Sequence, residues 1–313
     1  MLRPPLDPQV APMVAGFPPF APDRLPIMRE RSSAIEASEL VENGTVTVTE
    51  YLVPNGSIKV PLTVYRKAET AGNRPIIFWI HGGGLIVGHR FQEQPTHAKL
   101  VADLDLVITS VDYRLAPEYP YPAGFEDCFA ALNWVAENGV ELGGDPHRIL
   151  IMGGSAGGNL AAACAIAARD WGKPRLIGQM LFCPMLDDRL DSVSQQQYAT
   201  NTKAWGGDAN KFAWECYLGA NQGGDGVPAT AAPGRLTDLS NLPPTFLDCG
   251  DAELFRDDVV AYASRLWAAG VPTDLHIWAG GCHGFEICAP DAFITTGAKA
   301  ARMNWLARLL GSN

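Results

Sequence analysis

A serine hydroxyl is inert at neutral pH unless a base takes its proton, a third group orients that base, and donors receive the charge developing on the substrate. One serine in the chain is placed for such work. Ser155 lies in Gly153-Gly154-Ser155-Ala156-Gly157, which fits G-x-S-x-G. An apolar run, residues 149–152 (ILIM), enters the motif and an alanine-rich run, residues 160–168, leaves it. The serine is therefore expected on a tight turn from a buried strand into a helix. Its neighbours must be small, because a bulky side chain there would collide with the adjoining strand or helix. A glycine-rich turn that merely packs a helix on a sheet would leave the same five letters, so the partners decide.

Six histidines are available as the base. His81 sits in a glycine loop and is free to bond that loop. His89, His97 and His147 lie in polar stretches and are expected at the surface, and His276 alternates with Leu275 and Ile277 as a structural strand residue. His283 differs. It lies in Ala279-Gly280-Gly281-Cys282-His283-Gly284-Phe285, after the last strand expected, on the same carboxyl edge as Ser155, where open α/β sheets bind ligands. With the chain order serine, acid, histidine, the acid falls within residues 248–258. Asp257 and Asp258 begin a helix, where capping accounts for at least one of them. Asp251 and Glu253 remain, and spacing does not choose between them. For the oxyanion, Gly82-Gly83-Gly84 offers N–H groups unobstructed by side chains, and the Ala156 N–H at a helix N-terminus adds another. A phosphate cradle fits less well: there is no G-K-[ST] and no G-x-G-x-x-G opening a helix after the first buried strand.

The elements that must carry these residues can be read from periodicity. Alternating residues over 46–52 and 58–64 predict an antiparallel hairpin at a sheet edge, turning at Pro54-Asn55-Gly56. Buried strands are expected over 75–80, 106–111, 149–152, 176–182 and 245–248, with a last strand over 274–278. Helices are expected over 95–104, 123–138, 160–168, 257–270 and 291–310. In the clearest, Phe125, Cys128, Phe129, Leu132, Val135 and Ala136 form one apolar face. The repeating βα order predicts an α/β fold with a mostly parallel sheet. Two stretches break the rhythm. Residues 1–43 are proline-rich, then polar and helical over 27–41, and resemble an arm more than a core element. Residues 187–241 hold no strong strand and read as a lid. Trp205 and Phe212 in that lid, with Phe17 and Phe20 in the arm, are candidates to line a substrate pocket, whereas the run 214–217 (WECY) reads as structural.

At 313 residues, 47% of them hydrophobic, the chain can fill a large core. Its formal charge of −10 argues against nucleic acid and anionic membrane surfaces as partners. The seven cysteines lie mostly in apolar runs and form no C-x-x-C, which reads as buried free thiols in a reducing compartment. Prolines interrupt the N-terminus so often that it makes a poor secretory signal, so a cytoplasmic location is the expectation. Asn43-Gly44-Thr45 and Asn55-Gly56-Ser57 then read as turns, not glycosylation sites.

Four motifs in order carry a family resemblance: H-G-G-G at residues 81–84, D-Y-R-L-A-P-E at 112–118, G-x-S-A-G-G-N at 153–159 and H-G-F at 283–285. Together they resemble the hormone-sensitive-lipase-like branch (family IV) of α/β-hydrolase esterases, over roughly residues 40–310. The resemblance implies an eight-stranded core, residues about 44–186 and 242–313, under a helical cap built from about 1–43 and 187–241. It implies hydrolysis of small, short- to medium-chain carboxylic esters with no metal or cofactor, and a homodimer through the last strand's edge is common in the family. Ser155 matches the family's nucleophile, His283 its base, and the N–H groups of Gly83, Gly84 and Ala156 its oxyanion hole. Glu253 aligns with the acid, glutamate standing where aspartate is usual, and Gly154 stands where the family often has aspartate. An acyltransferase or lactonase would use the same acyl-enzyme. A non-catalytic receptor on this scaffold would have lost a triad residue, and here all three positions are filled.

Overall fold

The computed structural model describes residues 1–17, 20–33, 44–69, 72–200 and 204–311. The predicted hairpin forms β1 (Val46–Asn55) and β2 (Ile58–Lys67), with Asn55 opposite Ile58. The reversal is thus at Gly56-Ser57, beyond the turn expected at 54–56. Pro54 is inside β1, which tolerates it because β1 is the sheet's edge and need not donate on both sides. Of the two sequons read as turns, Asn43 lies outside the described residues.

Inside the hairpin come β3 (Arg74–Ile80), β4 (Val107–Val111), β5 (Gly144–Gly154), β6 (Leu176–Phe182), β7 (Thr245–Gly250) and β8 (Thr273–Trp278). The sheet order is β1-β2-β4-β3-β5-β6-β7-β8, antiparallel at β1/β2 and β2/β4 and parallel elsewhere. This is the α/β-hydrolase fold. β3, β4 and β7, with residues 149–153 of β5 and 178–182 of β6, are buried almost throughout, so these stretches run mostly apolar instead of alternating. Chain order leaves β3 for β4 on one side and returns to β5 on the other. That reversal opens a crevice at the carboxyl ends of β3 and β5, the usual ligand position in such sheets. In register, Ile80 faces Gly153, which brings the loop at 81–84 beside Ser155.

The helices, in chain order, are α1 (Ala11–Ala15), α2 (Leu25–Ser33), α3 (Gln94–Leu104), α4 (Ala123–Asn138), α5 (Ala156–Trp171), α6 (Val193–Gln197), α7 (Gly207–Leu218), α8 (Arg256–Ala268), α9 (Phe285–Cys288) and α10 (Phe293–Leu310). α5 is buried on all sides from Ala156 to Ala167, which explains why its sequence is alanine-rich and lacks a polar face. Of the helix expected over 27–41, α2 covers the start and residues 34–41 lie outside the described residues.

The N-terminal segment is more embedded than its composition predicts. Val10 and Val14 join Cys282, Phe285 and Cys288 in an apolar cluster of their own, and the Asp7 N–H donates to Gly280 O at 3.0 Å. Arg29 of α2 donates to the carbonyls of Ile86 and Ala116 (2.8 and 2.6 Å) and pairs with Glu118 at 2.7 Å. The start of the chain therefore braces the loops that follow β3, β4 and β8. Among the described residues no helix is long and apolar enough to cross a membrane.

Candidate active site

Ser155 follows β5 in a backbone conformation (φ 56°, ψ −120°) that costs a non-glycine residue on the order of 1–3 kcal/mol. The surroundings hold it there. Its N–H donates to Phe182 O (2.8 Å), and its carbonyl accepts from Met185 and Asn159 (3.0 and 3.1 Å). The flanking glycines are obligatory for the reason the sequence suggested. A Cβ on Gly153 would stand 2.3 Å from Gly157 O, and one on Gly157 would stand 2.1 Å from Ile80 O. A Cβ on Gly154 would meet only ordinary contacts at 3.8 Å, so the glycine there answers no steric demand.

The turn aims Ser155 Oγ at His283 Nε2, 3.0 Å away, and His283 Nδ1 lies 3.0 Å from Glu253 Oε2. With the Nδ1 proton shared with the carboxylate, the Nε2 lone pair faces the hydroxyl. Phe255 holds the imidazole edge-on at 5.1 Å, and its N–H reaches Glu253 Oε2 at 3.4 Å. The Glu253 side chain is 1% exposed and that of His283 is 11% exposed. Burial disfavours the imidazolium, but Cys183 and Glu253 pull the other way and hold His283 well above its ordinary value. Burial keeps Cys183 a thiol at neutral pH, so the Glu253 carboxylate is the partner whose charge counts.

The geometry also separates the two acid candidates. Asp251 turns away and accepts the Gly280 N–H at 2.7 Å, bracing the histidine loop from below. Asp257 and Asp258 do not cap α8, whose N-cap is Phe255 with no side-chain cap bond. They reach across to α6 instead, accepting the Ser194 N–H at 2.7 Å and the Gln195 amide at 2.9 Å. The capping expectation fails because a tertiary partner lies within reach of both carboxylates.

Opposite the triad, Gly83 (φ 116°) and Gly84 (φ 61°) adopt conformations that favour glycine, and the Gly83 carbonyl anchors the turn by accepting from Ile86 and Val87. Among the described residues, no protein acceptor engages the N–H of Gly83 or Gly84, and Ala156 opens α5, where an N–H has no intrahelical partner. His81 is fully buried, stacks on Tyr113 at 4.3 Å and bonds Gly82 O through Nδ1 at 2.8 Å; burial lowers its pKa to about 4, so it stays neutral. Tyr113 OH donates to His81 O at 3.0 Å, so the D-Y-R-L-A-P-E segment positions the glycine loop.

Two histidines depart from expectation. His97 is buried between Trp79 and Tyr65 (4.7 and 5.1 Å), because α3 turns it inward with Leu100 and Val101. His89 is half-buried beside Asp112 and Arg90. His147 is exposed and His276 stacks on Trp278, both as expected. Trp205 lies directly on Gly84, where a Cβ would sit 2.1 Å from its ring, and Phe20 bridges it to Phe212 with centroids 6.2 and 5.5 Å away. Phe17 is exposed, whereas Trp214 and Tyr217 are core. Sequence reasoning missed Cys183, whose Sγ lies within 4.8 Å of Glu253 and His283 ligand atoms. It also missed Arg302, which pairs with buried Asp248 (2.8 Å) and with Glu286 (3.0 Å) beside the histidine loop. Neither residue carries a local pattern that would have marked it.

Residues 77–287 match a family described as alpha/beta hydrolase fold. The carboxylesterase NlhH of Mycobacterium tuberculosis is 37% identical over 96% of each chain. Among solved structures, a bacterial heroin esterase superposes with a TM-score of 0.91 at 35% identity, covering 97% of this chain and 98% of its own. Esterase LipW from Mycobacterium marinum follows at a TM-score of 0.87 and 33% identity over 98% of both. With the fold, the four motifs and these relatives in agreement, the chain belongs to the hormone-sensitive-lipase-like carboxylic ester hydrolases of the α/β-hydrolase fold.

Proposed function

We propose that this hydrolase cleaves small carboxylic esters through an acyl-enzyme, with Ser155 as nucleophile, His283 as base and Glu253 as the acid that orients it. One observation carries the reading: the unbroken relay from Glu253 Oε2 to Nδ1 and from Nε2 to Ser155 Oγ, both links 3.0 Å. The ester carbonyl sits with its oxygen toward the N–H groups of Gly83, Gly84 and Ala156. Ser155 Oγ attacks as Nε2 takes its proton, and the three N–H groups stabilise the charge on the tetrahedral intermediate. The imidazolium, steadied by Glu253, protonates the leaving alcohol. Water then attacks the acyl-enzyme by the same path and frees Ser155.

Residues 1–43 and 187–241 act as a cap over this centre. Trp205, braced by Phe20 and Phe212 and seated on Gly84, forms a wall against the acyl group and favours short chains. The test is Ser155→Ala assayed on p-nitrophenyl acetate and butyrate, with fluorophosphonate labelling of the wild type. Turnover is expected to fall by about four to six orders of magnitude in a folded protein, with the label on Ser155. Retained turnover, or a label on another residue, would overturn the assignment.

A further inference from the structure

Cys183 follows β6 with a left-handed backbone (φ 35°), and its N–H is tied to Asp248 O at 2.6 Å. This places its thiol beside the triad, where the relay does not use it. Sγ, a Glu253 oxygen and a His283 nitrogen all lie within 4.8 Å of one another. The second Glu253 oxygen, Oε1, is buried and has no hydrogen-bond partner among the described residues, and the residue is only 2% exposed. Three different ligand types thus converge on one point with a carboxylate oxygen to spare.

We infer that Cys183, Glu253 and His283 form a binding site for a soft divalent cation, Zn2+ or Cd2+, whose occupancy switches the hydrolase off. The donor set selects the ion: thiolate and imidazole suit zinc and cadmium, while magnesium and calcium require oxygen ligands. Tetrahedral zinc holds its ligand atoms about 3.3–3.8 Å apart, given bonds of about 2.0–2.3 Å, so the site needs to contract by about 1.5 Å at most. The charge balances as well. A divalent cation with one thiolate and one carboxylate is neutral overall, so loading leaves no uncompensated buried charge.

The protons account for the inhibition. Binding releases the Cys183 thiol proton to solvent as the Sγ–metal bond forms. Nδ1, which faces Glu253, becomes the nitrogen ligand, and its proton passes to Nε2. Nε2 then points an N–H at Ser155 Oγ and cannot accept the hydroxyl proton. The metal therefore fixes the wrong tautomer while leaving the oxyanion N–H groups and the acyl wall in place. The loss should fall on kcat more than on KM.

The experiment titrates Zn2+, Cd2+ and Mg2+ against the wild type, Cys183→Ala and Cys183→Ser, with Cys282→Ala as a control thiol. Hydrolysis of p-nitrophenyl acetate is read for each protein relative to its own uninhibited rate. Cadmium binding is read separately from the ultraviolet thiolate-to-metal charge-transfer band, which does not depend on the acyl-enzyme reading. The wild type should bind one Cd2+ per chain and lose kcat reversibly with micromolar zinc or cadmium, with recovery on chelation, and Mg2+ should have no effect. Either Cys183 variant should raise the half-inhibitory zinc concentration by about tenfold or more, because even an outer-shell partner of a bound metal is worth about 10–100-fold in affinity. Cys183→Ser should also remove the charge-transfer band, and Cys282→Ala should behave as wild type. Equal zinc sensitivity in wild type and Cys183→Ser, an unchanged band, or a loss confined to KM would overturn the proposal. A band that requires Cys183, in a protein whose activity does not depend on Ser155, would sink the proposed mechanism and leave the metal site standing.

Discussion

Replacing Glu253 with glutamine tests the relay at its least visible member. The change keeps shape and volume in a side chain that is 1% exposed and removes one charge 3.0 Å from Nδ1. At an effective dielectric constant of about 20, that contact is worth about 5 kcal/mol to the imidazolium formed when Ser155 is deprotonated. An amide oxygen recovers part of this by accepting the Nδ1 proton, so the net loss in kcat should be about 10³–10⁴-fold. The pH profile gives a second, independent reading. As the proposed base His283 acts only when neutral, and Glu253 holds its pKa above the ordinary value, so the wild type should gain activity as pH rises through a limb displaced upward. Without the carboxylate, that limb must move to lower pH even as the plateau falls. The assay is kcat/KM for p-nitrophenyl butyrate across pH, with Asp251→Asn as comparison, since Asp251 holds the Gly280 N–H and not the imidazole. A variant within about tenfold of wild type, or a limb that stays put, would refute the assignment of Glu253. A limb that moves in Asp251→Asn instead would transfer the role to Asp251.

Trp205→Ala removes the ring seated on Gly84 and should raise kcat/KM for hexanoate over acetate by about tenfold or more, since even one further methylene taken into an apolar pocket is worth roughly 1–3 kcal/mol; an unchanged chain-length series would remove Trp205 from the pocket. Arg302→Met strips buried Asp248 and Glu286 of their partner and should cost about 3–5 kcal/mol in urea unfolding, whereas a loss under 1 kcal/mol would mean the ion pairs contribute little. The Glu93 carboxyl is enclosed beside Trp79, and burial raises its pKa to about 8. Its contribution to stability is therefore complete below about pH 4.5 and is lost as pH rises toward 8, on the order of 5 kcal/mol in all. Glu93→Gln lacks this titration, so its melting temperature relative to wild type should climb between pH 5 and pH 9, and a constant difference would refute the burial account.

The fold was legible wherever a signal is local. The i, i+3, i+4 face of Phe125, Cys128, Leu132 and Val135 predicted a helix over 123–138, and α4 spans Ala123–Asn138. The same holds for the buried strands, because covering both faces of a sheet leaves a continuous apolar run. Legibility stopped where a residue's fate depends on what packs against it from a distance. His97 reads as polar in sequence, yet its side chain lies on the face of α3 that meets Trp79 and Tyr65. Asp257 and Asp258 look like caps until α6 is placed beside them. For the site, Ser155 and His283 could be reached through spacing and strand-end position. Glu253 was separated from Asp251 only by the family alignment, and the geometry now separates them through the partners each carboxylate takes.

Ser155 and Cys183 are both non-glycine residues with positive φ, set at the carboxyl ends of neighbouring strands. Only the first announced itself, through the glycines that its turn requires. The second has ordinary neighbours, Phe182 and Pro184, and its strain is sustained by the structure around it. The two turns share that support. Ser155 donates to Phe182 O, Met185 donates to Ser155 O, and Cys183 donates to Asp248 O at the end of β7, where Arg302 clamps the side chain. A strained conformation persists only when its surroundings over-determine it, so the bonds that fix Ser155 also fix the Cys183 thiol near the imidazole. It follows that Arg302→Met should loosen both turns at once. Beyond its cost in global stability, it should lower kcat for the ester and weaken Cd2+ binding at Cys183 in the same variant. Loss of one readout without the other would show that the two turns are held independently.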